Sequence, residues 1–191
     1  ILPYRKGFEI GDYAFADCKK LTKAKIYNEH GDFKMGKGVF ENCTLLTRIA
    51  LYKEDIELPD YTFKNCSKLN QVYNKATFNN TIDPTLFADI KSIGDEAFYG
   101  CSVMTLDKIK INDVEHIGKN ALQGISDSVT TSAYVLPNLL SVDENGFGDV
   151  KLYSLALENV EVLKDVPECN YVVVGSDIKE FSCDNVETII C

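Results

Sequence analysis

The stretch IGDYAFADC occupies residues 10–18, and the stretch IGDEAFYGC occupies residues 93–101. The two copies agree at six of nine positions, namely at Ile, Gly, Asp, Ala, Phe and Cys. Such agreement within one chain of 191 residues indicates an internal repeat, and a repeat decides the class of fold before secondary structure is considered. We therefore use the phenylalanine of this motif as the anchor for aligning the rest of the chain.

Further copies of the anchor follow at a regular spacing. The steps between successive anchors are 25, 23, 24, 11, 24 and 25 residues, and five of the six fall in the range of about 20–29 residues that leucine-rich repeats use. The short step marks a defective copy or an inserted turn, and it predicts irregular curvature over residues 76–92. The anchors are Phe15, Phe40, Phe63, Phe87, Phe98, Leu122 and Phe147.

Residues at fixed distances from the anchor share a physical character. Five positions before the anchor every copy has an aliphatic side chain, and four positions before it every copy has a residue that favours turns. Two positions after it stand Asp, Asn or Gly, which tolerate the left-handed backbone at the end of a helical turn. Three positions after it stand Cys18, Cys43, Cys66 and Cys101 or, in the other copies, Ile or Val.

The third position after the anchor accounts for four of the seven cysteines. A disulfide or a metal ligand could not be exchanged for Ile or Val, whereas a small buried hydrophobic residue could, so we predict reduced core thiols. No zinc site is predicted, because there is no C-x-x-C pair and His30 and His116 are the only histidines. The predicted core residues are Phe15, Cys18, Phe40, Cys43, Phe63, Cys66, Phe98, Cys101, Leu122 and Phe147.

The other three cysteines, Cys169, Cys183 and Cys191, lie beyond the last clear copy. One pair among them could form a disulfide in an oxidising compartment, or all three could be core thiols of a diverging repeat. Three asparagines fit the sequon for N-glycosylation, two of them as a by-product of turn chemistry beside a core Cys. They are Asn42, Asn65 and Asn79.

Each copy is predicted to contain a strand, a turn, a short extended segment and a helical turn. Segments such as LTKAKIY (21–27), LTRIALY (46–52), LDKIKI (106–111) and SAYVL (132–136) alternate with the period of a strand. One such unit cannot bury its own apolar face, so the units must stack on a continuous core. We predict a single domain over 1–191, with repeats of about 23–25 residues over 1–150. Over 151–191 we predict degenerate, shorter, β-rich repeats in which strands recur about every 16–18 residues.

The segments IGDYAFADCKKL (10–21), IGDEAFYGC (93–101) and LPNLLSVDENGF (136–147) resemble the BspA-like class of leucine-rich repeats. The resemblance covers about residues 1–150, with departures at Leu122 and Gly146. It implies a right-handed solenoid of short strands and short helical turns. Members of this class are mostly surface or secreted proteins of host-associated bacteria and anaerobic protozoan parasites. The resemblance therefore implies an extracellular or cell-surface location. It also implies adhesion to a protein or glycan ligand, and host-derived molecules are among the candidate ligands.

Several other functions are disfavoured by the sequence. The net charge of −9 argues against nucleic acid as a partner, and no apolar run reaches the roughly 20 residues of a membrane helix. There is no G-x-S-x-G, P-loop or H-E-x-x-H motif, so we predict neither an enzyme nor a cofactor site. No signal peptide or anchor is recognisable, and we expect the targeting information to lie outside this sequence.

The predicted strands place cations and tyrosines on one outward face. If Leu21, Ala24 and Ile26 point inward, the alternate residues point outward, and stacked strands bring them about 4.8 Å apart. This face could bind an acidic protein or glycan, or it could be a solvated face whose lysines prevent edge pairing. In the second case the domain would be an inert spacer within a larger surface protein. The predicted ligand-binding residues are Lys23, Lys25, Arg48, Tyr73, Lys108, Lys110 and Tyr134.

Overall fold

The strands of this protein are short, because alternating aliphatic residues extend over only a few positions before Gly, Pro, Asp or Asn interrupts them. A computed structural model describes residues 7–26, 33–51, 55–73, 89–126, 130–182 and 186–190. The elements in these ranges are β1 (Phe8–Ile10), β2 (Lys23–Ile26), β3 (Phe33–Met35), β4 (Arg48–Leu51), β5 (Ile56–Leu58), β6 (Gln71–Tyr73), β7 (Ile90–Ile93), α1 (Leu106–Ile109), a 3-10 turn (Ile111–Asp113), β8 (His116–Ile117), β9 (Thr130–Val135), β10 (Ser141–Val142), β11 (Lys151–Leu157), β12 (Val162–Leu163), β13 (Glu168–Val174), β14 (Glu180–Phe181) and β15 (Val186–Ile190).

Every strand pair in the described part of the chain is parallel, and the strands form two sets. Successive strands alternate between the sets except at β7 and β8, which belong to the same set and are separated by α1 and the 3-10 turn. The first set contains the sheets β1–β3 and β5–β7–β8–β10–β12–β14, and the second contains β2–β4–β6 and β9–β11–β13–β15. Residues at equivalent positions of successive repeats pair with each other, since Lys23 pairs with Arg48 and Arg48 pairs with Gln71. Parallel neighbours need a long crossover. Here the crossover is the rest of the repeat, so each unit is bonded to the equivalent parts of its neighbours.

A third set of hydrogen bonds joins the turns that carry the anchors. The backbone N–H of each anchor donates to the carbonyl of the residue that precedes the next anchor in the stack. The bonds are Phe15 to Val39 (2.9 Å), Phe40 to Thr62 (2.9 Å), Phe63 to Ala97 (2.8 Å), Phe98 to Ala121 (2.9 Å) and Leu122 to Gly146 (3.0 Å). Adjacent units are therefore bonded along the turns as well as along both sets of strands.

The turns differ from the predicted helical turns. Left-handed residues flank the anchor on both sides, for example Tyr13 (φ 55°) and Asp17 (φ 57°) around Phe15. The prediction for the second position after the anchor is correct at Asp17, Asn42, Asn65, Gly100 and Gly124, while in the last copy the left-handed residue is Gly148. The left-handed residues before the anchor were not predicted. Together they direct alternate N–H groups toward the next unit, so the turn bonds between units instead of closing a helix.

The core consists of anchors and cysteines stacked along the repeat. Eight of the ten predicted core residues are fully buried, and ring centroids lie 5.9 Å apart for Phe40 and Phe63 and 5.5 Å apart for Phe63 and Phe98. The prediction is wrong for Phe15, which is 43% exposed, and Cys18 is only partly buried. Phe15 stacks on Phe40 at 5.5 Å through one ring face. The second ring face has no described unit packed on it, which explains the exposure.

The copy that was aligned on Phe87 does not have the predicted register. Ile90, assigned to the cysteine column, belongs to strand β7 and pairs with Ile56 of β5. Phe63 therefore stacks directly on Phe98, and one unit spans the 35 residues between them. The predictions on Phe87, Asn79, Cys183 and Cys191 concern residues outside the described ranges, as does the prediction of irregular curvature over residues 76–92 for all but its last four residues.

The segment LDKIKI (106–111) forms helix α1 and part of the 3-10 turn, although a strand was predicted. Leu106, Ile109 and Ile111 are buried, and the first two are separated by three residues, a spacing that suits a helical turn better than a strand. Lys110 ends the helix in the left-handed conformation, and its N–H donates to the carbonyl of Leu106. The outward row of cations predicted for the strands is therefore interrupted after β6.

The last part of the chain continues the stack with smaller units. Leu152 pairs with Cys169, which pairs with Val186, so the repeat shortens to 17 residues, in agreement with the predicted 16–18. There is no further anchor to accept the N–H of Phe147. A carboxylate oxygen of Asp165 accepts it instead, at 2.8 Å. This side chain completes the hydrogen bonding of the turns where the two kinds of repeat meet.

Candidate binding surface

The sheet formed by β2, β4 and β6 brings together four of the predicted ligand-binding residues, and we call it the cationic sheet. Lys23 and Arg48 are paired neighbours, and Lys25 and Tyr73 lie on either side of Ala50. Their side chains point outward because the alternate positions, such as Ile49 and Val72, are buried in the core. Lys23 and Lys25 are exposed and Arg48 is half-buried, while Ala50 is covered completely.

An open groove of about 550 Å³ lies where strands β4 and β6 begin. Its backbone is fixed by two hydrogen bonds, from the Thr47 hydroxyl to the Thr22 carbonyl (2.8 Å) and from the Asn70 N–H to the Thr47 carbonyl (2.9 Å). Five of the six lining residues have polar or charged side chains, and Val103, which is 42% exposed, adds an apolar wall. The residues that line the groove are Thr47, Arg48, Lys68, Asn70, Gln71 and Val103.

Among the described residues, no acid neutralises the cations of this surface. Within the part of the chain that the structure describes, the side chains of Lys23, Lys25, Arg48 and Lys68 make no ion pair or hydrogen bond. Several lysines elsewhere are paired with acids of adjacent units. Examples are Lys37 with Asp60 (2.7 Å), Lys64 with Glu96 (2.5 Å), Lys119 with Glu144 (2.6 Å) and Lys179 with Glu161 (2.8 Å).

Three predicted residues do not belong to the cationic sheet. Lys108 lies on helix α1 and donates to the carbonyl of Val103 at 3.2 Å, so its ammonium group is held beside the groove. Lys110 is the C-terminal cap of the same helix. Tyr134 is only 9% exposed, and its hydroxyl donates to Oδ1 of Asp107. Burial and this hydrogen bond raise the pKa of Tyr134.

The inward direction of Tyr134 follows from the alternation of strand β9. Leu136, two residues further on, is buried, and Val135 between them is 44% exposed. Residues two apart in an extended segment share a face, so Tyr134 must point toward the core with Leu136. The predicted register was wrong by one residue because SAYVL contains apolar residues at consecutive positions.

The match to a family model covers nearly all of this architecture. The model for the BspA type leucine rich repeat region matches in 6 copies, over residues 5–91 and 75–169. The chain belongs to the BspA-type leucine-rich-repeat family. This confirms the resemblance recognised in the motifs. No curated protein and no solved structure matches the chain.

Of the six residues that line this leucine-rich repeat's groove, only Arg48 was predicted to bind a ligand, and four of the others lie outside strands β4 and β6. Lys68 and Val103 both stand five positions after an anchor, and Asn70 stands seven after one. In the first of these columns the residues Lys20, Leu45, Lys68 and Val103 are all exposed. An exposed position that changes from copy to copy was the available signal, because the repeat itself does not need a particular side chain there.

The aspartate of the leucine-rich repeat's I-G-D segment also has a role that the sequence did not reveal. Oδ1 of Asp12 accepts the N–H of Lys37 at 2.8 Å, and Oδ1 of Asp95 accepts the N–H of Lys119 at 2.8 Å. Each carboxylate thus bonds the backbone of the next unit, which makes this column a structural one. Among the described residues, no cluster of three His, Cys, Asp or Glu could hold a metal ion, and no helix has the length and apolar character to cross a membrane.

Proposed function

We propose that this leucine-rich repeat is a non-enzymatic binding module, outside the cell or on its surface, whose cationic sheet takes a protein or glycan ligand. We further propose that its units form a single right-handed solenoid. The family supports the general role, since BspA-type repeats suggest a protein-interaction or surface module. The observation that carries the specific role is a group of cations on one sheet of a chain with net charge −9, with no ion pair to any acid in the described ranges.

Electrostatics make this group informative. Paired strands lie about 4.8 Å apart, and two unit charges at that distance repel by up to about 0.9 kcal/mol in water. Lys23 and Arg48 occupy such paired positions, although acids are abundant elsewhere in the chain. An acidic ligand would relieve the repulsion, and its binding would weaken with salt because exposed charges are screened.

The test is a panel of immobilised extracellular proteins and glycans probed with the purified domain. We expect saturable, salt-sensitive binding to at least one ligand. The double variant Lys23→Glu/Arg48→Glu should lower its affinity by about tenfold or more, because two attractive contacts become repulsive. The matched control Lys34→Glu/Lys179→Glu makes the same change of net charge outside the cationic sheet, on β3 and directly before β14, and should retain affinity. Absence of saturable binding would favour an inert spacer, and an equal loss in both variants would contradict the role of the cationic sheet.

A further inference from the structure

We propose that the groove at the start of β4 and β6 binds an acidic oligosaccharide, a sugar chain that has carboxylate or sulfate groups. This inference rests on the proposed binding function and names the chemistry of the ligand. Arg48 and Lys68 bind the anionic group, Asn70 and Gln71 bind ring hydroxyls, and Val103 packs against the apolar side of a ring.

The first argument is the charge of the groove. Arg48 and Lys68 both line it, and neither side chain is engaged by an acid in the described residues. A guanidinium group presents a planar set of N–H donors that matches a carboxylate or sulfate in a bidentate way. The ammonium of Lys108, held at the carbonyl of Val103, adds a third positive charge beside the same groove.

The second argument is the pair of neighbouring amides. Asn70 and Gln71 line the groove next to the two cations, and their side chains make no hydrogen bond with a described residue. An amide side chain offers both donors and an acceptor. This combination matches hydroxyl groups, which also donate and accept.

The third argument is the form of the site. The groove is open and has about the volume of a small-molecule pocket, which is typically about 300–1,000 Å³. An extended peptide commonly binds by adding a strand to a free sheet edge. The sheet edge nearest the groove is β6, and helix α1 packs beside that strand. The geometry therefore favours a sugar chain lying in the groove over a peptide strand.

The experiment is calorimetric titration of the full chain with four probes. They are a heparin-derived hexasaccharide, a galacturonic acid oligomer, polyglutamate of similar charge, and neutral maltohexaose. We expect binding to one or both acidic sugars, weaker binding to polyglutamate and none to maltohexaose. The first two probes distinguish sulfate from carboxylate as the recognised group.

Four variants and one control locate the site. Lys68→Glu and Arg48→Glu should each lower the affinity for the acidic sugar by about tenfold or more. Asn70→Ala and Gln71→Ala should each lower it by about three- to tenfold without lowering the affinity for polyglutamate, because they change no charge. Lys34 is exposed on β3, outside the groove, so the control Lys34→Glu should change the affinity by less than about twofold. Thermal unfolding checks that each variant is folded.

Two results would overturn the inference. If neither acidic sugar binds, the groove is not a sugar site. If polyglutamate binds as tightly as the sugars and the amide variants have no effect, the ligand is an acidic protein, and the proposed binding function stands without the inference. A failure of the proposed function would give a different result. In that case binding to the panel of extracellular proteins and glycans would also be independent of Lys23 and Arg48.

Discussion

Residues 10–18 and 93–101 have nearly the same sequence but different surroundings. Phe15 is 43% exposed, whereas Phe98 is completely buried. Cys18 is partly buried, whereas the sulfur of Cys101 lies in the core. The difference arises because the second copy is bonded to units on both sides and the first copy is bonded, among described residues, to the unit of Phe40. The motif is thus a surface that fits its own copies, and its burial depends on the neighbouring units.

The largest expected effect concerns the two phenylalanines. Phe98→Ala should lower the free energy of unfolding by about 3–5 kcal/mol, because it removes a fully buried ring and leaves a cavity. Phe15→Ala should cost only about 1–2 kcal/mol, because part of its surface is already hydrated. Urea denaturation of both variants measures the two values. Equal losses would contradict the view that neighbours determine the burial of each copy.

The glycines of the same two copies provide the next test. A Cβ atom on Gly94 would lie 2.6 Å from the backbone nitrogen of Asp60, whereas a Cβ atom on Gly11 would meet nothing within 4 Å. Gly94→Ala should therefore cost about 1–3 kcal/mol through forced separation of two units. Gly11→Ala should be neutral or stabilising by less than about 1 kcal/mol, because it restricts the unfolded chain.

The glycine pair is measured in the same denaturation experiment. A loss of stability in Gly11→Ala as large as that in Gly94→Ala would show that this column serves local turn geometry. Neither glycine has a positive φ, so the structure assigns the requirement at Gly94 to the close approach of chains.

The repeat was predictable because it depends on residues that recur, and the exceptions depend on contacts that do not. The alignment located the buried column from Phe40 to Phe147 and the left-handed residues that follow the anchors. It could not locate the left-handed Tyr13 and Tyr61, because an aromatic residue carries no sign of that conformation. The groove was also beyond reach, since Lys68 and Val103 come from different units and meet only when the units stack.

The junction between the two kinds of repeat tests whether one side chain can replace a neighbouring unit. Asp165→Ala should cost about 1–3 kcal/mol, because the buried N–H of Phe147 loses its acceptor. Asp165→Asn keeps an acceptor oxygen at this position and is the matched control. A neutral effect of the alanine variant would contradict the role of this side chain.

The same pair of variants predicts a dependence on pH. Burial raises the pKa of Asp165, although the N–H groups of Phe147 and Val166 oppose the shift. The folded state therefore binds more protons than the unfolded state, and stability from this group is present below its unfolded pKa and lost as the pH rises through its folded pKa. As the pH rises from about 3 to about 7, the wild type should therefore lose stability relative to Asp165→Asn, which cannot titrate at this position. The same difference in the free energy of unfolding between Asp165→Asn and the wild type at both pH values would contradict this.

The smallest expected effect concerns the cysteines of the two copies. The thiol of Cys101 donates to the carbonyl of Phe63 at 3.1 Å, but the N–H of Cys66 also donates to that carbonyl, at 3.0 Å. Cys101→Val should therefore cost less than about 1 kcal/mol, because the carbonyl keeps a donor and the pocket keeps an apolar occupant. Unfolding of the domain by this substitution would show that the thiol is essential.

Reactivity should separate the two copies more clearly than stability does. Burial raises the pKa of Cys66 to about 12 and that of Cys101 well above its usual range, so almost no thiolate forms at neutral pH. Iodoacetamide applied to the folded protein should modify Cys18 before either of them, as read by peptide mass mapping. In denaturant the three thiols should react alike, because the protection comes from neighbouring units and not from the local sequence. Faster labelling of Cys101 than of Cys18 in the folded state would contradict the stacking of units on both sides of residues 93–101.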